Sequence, residues 1–145
     1  MRYIGLDLGS RTLGVAISDI NGIIASSYCV IRHNEDYNGL IIKIKDIVDE
    51  KKIDEIVLGL PKNMNNTLGE KAKLSYKFRN MLEKEINVPV HLVDERLTTK
   101  LVTDLLISND TSRKKRKNVV DSMAASVILQ SYLDMKEKEK YYEKQ

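Results

Sequence analysis

The chain has 145 residues, 42% of them hydrophobic and 31% charged, which is the composition of an ordinary globular protein with room for one core. A single domain over residues 1–145 is therefore expected. The net charge is only +3, a single cysteine excludes an internal disulfide, and no apolar run reaches transmembrane length, so a cytoplasmic protein that does not enter a membrane is expected.

The first predicted element is a short apolar strand within Met1–Ser10 that carries one carboxylate, Asp7. A charged group in a buried strand costs free energy unless a metal ion or a cation pairs with it. Gly9 and Ser10 predict a tight turn into a second strand, which places Asp7 in the middle of a sheet beside a hairpin. An ordinary salt bridge or a turn hydrogen bond is an equally open role for Asp7.

The third strand is predicted over Ile23–Ile31, because Asn21-Gly22 before it is a strong hairpin signal. Cys29 lies in this strand and is interpreted as a small core residue. An amphipathic helix follows, with apolar residues at helical spacing: Leu40, Ile41, Ile44, Ile47 and Val48. The buried strand Ile56–Leu58 then predicts a parallel crossover back onto the first strand.

The second half of the chain continues the alternation of helices and strands. Its predicted elements are a helix at Gly69–Ile86, a strand at Val90–Glu95, a helix from Thr98 or Thr99 to Ile107, a polar loop at Ser108–Asn118, and a last helix at Val119–Lys140 with a fraying tail from Lys136. Three antiparallel strands followed by βα units predict an α/β fold with a mixed five-stranded sheet, in the order 3-2-1-4-5, flanked by helices.

A run of five cations without an acid, Arg113-Lys114-Lys115-Arg116-Lys117, lies in the predicted loop. Such runs often contact phosphate backbones, although a solvated loop is a common alternative. The further cations that would bind a nucleic acid with it are Arg96, Lys62 and Arg11.

Three acids occupy distinctive positions: Asp7 on the first strand, Glu95 at the end of the last strand, and Asp121 in the first turn of the last helix. Parallel strands and a close helix packing through Ala124 and Ala125 would bring the three together. Clustered carboxylates repel one another unless a cation neutralises them, which predicts bound Mg²⁺ or Mn²⁺ at Asp7, Glu95 and Asp121. Two such ions are a known device for phosphodiester cleavage.

Each acid alone has another interpretation. Asp121 could act on the helix dipole, and Asp94 competes with Glu95 because neighbours on a strand point to opposite faces. A zinc site is disfavoured, since the chain has only two histidines and one cysteine.

Several motifs together resemble the YqgF/RuvX family of bacterial proteins. They are Gly5-Leu-Asp-Leu-Gly9, Gly14-Val-Ala-Ile-Ser-Asp19, Val57-Leu-Gly-Leu-Pro61, Asp94-Glu-Arg-Leu-Thr-Thr99, and Asp121 with Ala124-Ala125 and Ile128-Leu-Gln130. The resemblance implies a ribonuclease H-like fold and a metal-dependent nuclease that trims the 5′ end of precursor 16S ribosomal RNA. It also implies that Asp7, Glu95 and Asp121 are the catalytic carboxylates.

Three alternatives stay open at this point. The same chemistry could act on branched DNA, as in a Holliday junction resolvase, which normally works as a dimer. A non-catalytic RNA-binding or transcription-associated module would have no use for clustered carboxylates. A kinase-like protein sharing the opening motif would need a second lobe, which 145 residues do not provide. A monomer or weak dimer is expected.

Overall fold

The computed structural model describes residues 1–61, 69–94 and 113–143, and for residues 113–122 and 141–143 the backbone alone. The elements in chain order are β1 (Tyr3–Leu8), β2 (Thr12–Ser18), β3 (Ala25–Arg32), α1 (Tyr37–Lys51), β4 (Glu55–Leu60), α2 (Glu70–Glu85), β5 (Val90–Asp94) and α3 (Arg113–Glu143). The strands form one sheet in the order β3-β2-β1-β4-β5, which confirms the predicted mixed sheet.

The first three strands form an antiparallel meander. The β1–β2 turn closes on a hydrogen bond from the Gly9 amide to the Thr12 carbonyl, 2.8 Å long, at the predicted Gly9-Ser10 turn. The β2–β3 connection is organised by Asp19, whose carboxylate accepts backbone N–H bonds from Ile23 at 2.7 Å and Ile24 at 2.9 Å. Gly22 has a φ of +68° there, a conformation that favours glycine.

β3 is an edge strand whose pairing with β2 is irregular. Val15 pairs with Cys29 and the next β2 residue, Ala16, pairs with Ser27, so Tyr28 has no cross-strand partner and forms a bulge. Cys29 is half-buried and packs against the larger core from this edge. The prediction that it is a core residue is therefore only partly confirmed.

The larger core lies between the sheet and helices α1 and α2. Ile4, Leu6, Ile56 and Leu58 point to this side from the two central strands, and Phe78 reaches them from α2. β4 follows β3 through α1 and pairs in parallel with the central strand β1, and β5 follows β4 through α2 and pairs in parallel with it.

The smaller core lies between the other face of the sheet and α3. Tyr3, Ala16 and Val57 project towards this helix, which contributes Ala125 and Leu129. Gly5 permits a very close approach, because a Cβ placed on it would lie 2.7 Å from the Leu129 Cβ and 3.0 Å from the Ala125 carbonyl oxygen.

Two features of the last helix differ from the sequence-based expectation. The predicted loop is wrong for residues 113–118, because α3 already begins at Arg113. Arginine and lysine are good helix formers, and no glycine or proline separates the basic run from the apolar stripe that follows. The backbone also stays helical to Glu143, through most of the segment expected to fray.

Some predicted elements fall outside the described residues, among them the helix from Thr98 or Thr99 to Ile107 and residues 108–112 of the loop. Among the helices of residues 1–61, 69–94 and 113–143, none combines the length and apolar character needed to cross a bilayer.

Candidate active site

Asp7 lies near the carboxyl end of β1, the central strand, and is partly buried. It pairs with Gly14 of β2. On the other side Leu6 pairs with Leu58 of β4, so Gly59 is the next β4 residue along. The two neighbours of Asp7 across the sheet are therefore glycines, which carry no side chains.

The side of the sheet on which Asp7 lies follows from its neighbours in β1. Tyr3 packs in the smaller core, and Gly5 lies against Ala125 and Leu129 of α3. Because side chains alternate along a strand, Asp7 belongs to this same α3 face.

Helix α3 runs antiparallel to β1 across that face. The Tyr3 ring meets the Tyr132 ring edge-on at a centroid distance of 5.8 Å, whereas Gly5, further along β1, lies against Ala125 and Leu129. Moving towards Asp7 along the strand therefore means moving towards the N-terminus of the helix.

The carboxyl ends of β1, β4 and β5 lie at one edge of the sheet because the three strands are parallel. The last described residue of β5 is Asp94, which is exposed and pairs with Leu60. Leu92 packs in the larger core and Val93 in the smaller one, so Asp94 belongs to the face opposite α3.

The remaining predicted site residues are placed to different degrees. Glu95, Arg96 and Lys62 lie outside the described residues, and Asp121 and the basic run Arg113–Lys117 are placed by the α3 backbone only. Arg11 is exposed in the β1–β2 turn. Within the described part of the chain no three potential metal ligands cluster, so the predicted metal set stays a prediction.

The structure adds a buried histidine next to this edge. The His33 Nε2 lies 2.9 Å from the Gly9 carbonyl oxygen, and its Nδ1 accepts a 2.9 Å hydrogen bond from the Glu35 amide, which makes Nε2–H the donor to Gly9. The His33 amide donates to the Arg11 carbonyl. Asn34 and Glu35 have φ values of 45° and 67°, so the β3–α1 turn keeps an uncommon backbone to make these bonds.

No sequence signal identified His33, since its partners are backbone groups of a distant turn. The histidine stands alone in a polar stretch, and only the antiparallel meander brings Gly9 and Arg11 within its reach.

A second polar group lies on the α3 face at the opposite end of the sheet. The His91 ring stacks on the Tyr132 ring at 5.2 Å, and its Nε2 is 3.5 Å from a Glu55 carboxylate oxygen. Burial, reinforced by the negative charge of Glu55, raises the pKa of Tyr132 to about 12. These groups lie near the amino end of β1, away from Asp7.

The five-stranded mixed sheet in this order, with helices on both faces, is a ribonuclease H-like fold. A solved structure described as "T. thermophilus RuvC in complex with Holliday junction substrate" has this fold, with a TM-score of 0.56, 14% sequence identity, and coverage of 93% of this chain and 96% of RuvC.

The family relationship is clear from sequence. The family model described as "RuvX: Holliday junction resolvase" matches residues 1–135, and the chain belongs to this family. A protein of Geobacillus sp. strain WCH70 named "Putative pre-16S rRNA nuclease" is 51% identical over 138 residues, which cover 94% of this chain and 100% of the relative. An identically named protein of Bacillus subtilis strain 168 is 50% identical over 137 residues, with coverage of 92% and 98%.

Proposed function

We propose that this chain is a Mg²⁺- or Mn²⁺-dependent nuclease that processes the 5′ end of precursor 16S ribosomal RNA, with Asp7, Glu95 and Asp121 as its catalytic carboxylates. The name of the relatives at about half identity over nearly the full chain supports the substrate class. The observation that carries the proposal is the position of Asp7, a partly buried carboxylate on the central strand between two glycines.

The packing of α3 supports the inclusion of Asp121. Gly5 lies against Ala125 and Leu129, so it is level with about residue 127 of the helix. Asp7 is two strand residues further on, roughly 6.8 Å, which corresponds to about 4.5 helical residues. Asp7 is therefore expected level with residue 122 or so, next to Asp121. A spacing of four residues also predicts that Asp121 shares the helix face of Ala125.

The alternation along β5 supports Glu95 over Asp94. Val93 packs in the smaller core, on the α3 face. If the extended backbone continues by one residue, position 95 returns to that face, where Asp7 lies, whereas Asp94 belongs to the other.

These three carboxylates suit a hard divalent cation, since oxygen ligands are what Mg²⁺ and Mn²⁺ prefer. Gly14 and Gly59, the neighbours of Asp7 across the sheet, add no side chains that would crowd such an ion. When bound, divalent metal supplies activation of the attacking water and neutralisation of the leaving oxygen. The protein's own contribution is to hold Asp7 on the central strand and Asp121 on α3.

The direction of α3 supports a role for the basic run in holding the RNA. Residues 113–117 precede the level of Asp7 by about five to nine helical residues, or roughly 8–14 Å. This part of the helix therefore extends past the carboxyl edge of the sheet, where Arg113–Lys117 would meet a strand leaving the site.

The test is incubation of the purified protein with 5′-extended 16S precursor RNA, with Mg²⁺, with Mn²⁺ or with EDTA, and mapping of the products. We expect metal-dependent removal of the 5′ extension, and loss of it in Asp7→Asn, Glu95→Gln and Asp121→Asn with unchanged circular dichroism. Two matched controls should retain cleavage. Asp94→Asn removes an acid on the other face of the sheet, and Asp46→Asn removes one at an exposed position of α1.

Full cleavage by Asp7→Asn, or by the wild type in EDTA, would refute the metal mechanism. The family description favours one second candidate, a resolvase of four-way DNA. Symmetric cutting of a four-way junction by a dimer, with the precursor RNA left intact, would select that candidate instead.

A further inference from the structure

We propose that Arg32, at the end of β3, binds a backbone phosphate of the nucleic acid held at Asp7 and forms with Arg11 a cationic rim on the β3 side of the active site. The proposal deepens the proposed nuclease function by naming a substrate-binding residue on the side of the sheet away from Glu95. Nothing in the sequence pattern distinguished Arg32 from the other cations.

The register of the meander places Arg32 on the same face and at the same edge as Asp7. Asp7 pairs with Gly14, Gly14 pairs with Val30, and Thr12 pairs with Arg32. Cys29 and Ile31 pack against the larger core, so the alternate residues Val30 and Arg32 belong to the α3 face.

The distance from Asp7 suits a second contact with one bound strand. Arg32 lies two strands across from Asp7 and two residues further towards the carboxyl edge, which corresponds to about 12 Å between the two Cα atoms at standard sheet spacings. The long arginine side chain covers part of that distance. A phosphate near the cleaved one in the same strand is therefore within reach.

The Arg32 side chain is available for such a contact. It is exposed, and no residue of the described part of the chain forms an ion pair or hydrogen bond with it. Arginine in such a position binds phosphate through paired N–H donors. Arg11 is exposed in the adjacent turn and lines a small cavity of about 160 Å³ with Asn34 and Glu35.

His33 gives this rim a fixed shape. It follows Arg32 directly, its amide donates to the Arg11 carbonyl, and its ring is hydrogen bonded to both Gly9 and Glu35. The β1–β2 turn that follows Asp7 is thereby tied to the end of β3, so the backbones from which the two arginines project are joined by hydrogen bonds. Glu35 is the one acid lining the cavity, and its charge opposes phosphate binding.

The test measures binding of single-stranded RNA as a function of salt, in the Asp7→Asn background so that the RNA stays intact. We expect Arg32→Gln to weaken binding and to reduce the slope of log affinity against log salt by about 0.7, the value for one single-strand phosphate contact. Glu35→Gln should strengthen binding. Lys45→Gln, an equal charge change on exposed α1, should leave the slope unchanged.

Cleavage of the precursor RNA is measured in parallel, with the native Asp7. There Arg32→Gln should raise KM with little change in kcat. An unchanged salt slope in Arg32→Gln, an equal loss in Lys45→Gln, or no RNA binding by the parent protein would overturn the assignment. If the protein binds RNA with the expected Arg32 dependence but never cleaves it, the proposed nuclease function fails while the phosphate site stands.

Discussion

Gly5 lies so close to Leu129 that a Cβ on the glycine would be 2.7 Å from the Leu129 Cβ. Any side chain at position 5 must push α3 away from the sheet or displace the strand. We expect Gly5→Ala to lower the free energy of unfolding by about 1–3 kcal/mol and Gly5→Val to lower it further, as in other overpacked cores. Urea denaturation measures both, and equal stability of the two variants and the wild type would mean that the helix moves away at no cost.

Gln130 fastens α3 to the start of β3. Its Oε1 accepts from the Ala25 amide at 2.8 Å, and its Nε2 donates to the Ile23 carbonyl at 2.9 Å. Gln130→Glu keeps the acceptor but loses the donor to the Ile23 carbonyl, and it places a second carboxylate beside Asp134, to which the Nε2 also donates at 3.0 Å. The variant should lower the free energy of unfolding by about 1 kcal/mol, because the exposed carbonyl can still bond water. Ser131→Ala is the matched control on the same helix, since that hydroxyl donates to the Val127 carbonyl within α3. Similar losses in both variants would argue against a specific role for Gln130.

The two histidines of the chain should differ in their importance for stability. His33 is buried and uses both ring nitrogens, whereas the His91 Nε2 forms no hydrogen bond among the described residues and only lies 3.5 Å from a Glu55 carboxylate oxygen. His33→Phe keeps an aromatic ring but leaves the Gly9 carbonyl and the Glu35 amide without their hydrogen-bond partners. We expect the free energy of unfolding to fall by roughly 2–4 kcal/mol for the two groups.

His91→Phe serves as the control and should cost less, because its stacking on Tyr132 survives the change. Thermal or urea unfolding of the two variants measures which substitution lowers the stability more. The idea fails if His91→Phe proves the more harmful substitution.

Asp19 should make the β2–β3 connection sensitive to acid. Hydrogen bonds from the Ile24 and Ile23 amides hold the pKa of Asp19 below its ordinary value of 3.8. A lowered folded-state pKa stabilises the folded protein at pH values above 3.8, and this contribution is lost as the pH falls through the folded-state pKa. Asp19→Asn should therefore be less stable than the wild type at neutral pH, with the difference shrinking in acid.

Urea denaturation of both proteins across this range provides the measurement. A stability difference between them that stays constant down to the lowest pH would show that the carboxylate charge has no part in it.

The strands and their order were predictable because each signal was local and strong. Alternating apolar residues, Gly9-Ser10 and Asn21-Gly22 fix the meander, and a helix between two short apolar runs leaves the right-handed parallel crossover as the natural connection. The placement of Asp7 on the central strand followed from the same reasoning and is confirmed.

Other features depended on contacts between distant parts of the chain. The hydrogen bonds of His33 and Gln130 go to backbone groups that only the folded sheet brings near. The close packing of α3 on Gly5 likewise depends on residues that are far apart in the sequence. The start of α3 differs from the predicted one because a dense run of positive charge is typical of a solvated loop, although its residues favour helix. The metal set of Asp7, Glu95 and Asp121 remains a prediction for the experiments above.

The bulge at Tyr28 has a consequence for how the protein behaves at high concentration. An outer strand with a regular ladder offers a template on which a foreign strand can add, and Arg32 at the end of β3 is the one charged residue in that strand that discourages this. The interrupted register at Tyr28 breaks that template halfway along its length. Deleting Tyr28 would restore a continuous ladder, and we expect the protein to associate through its outer strands, edge to edge, into insoluble assemblies.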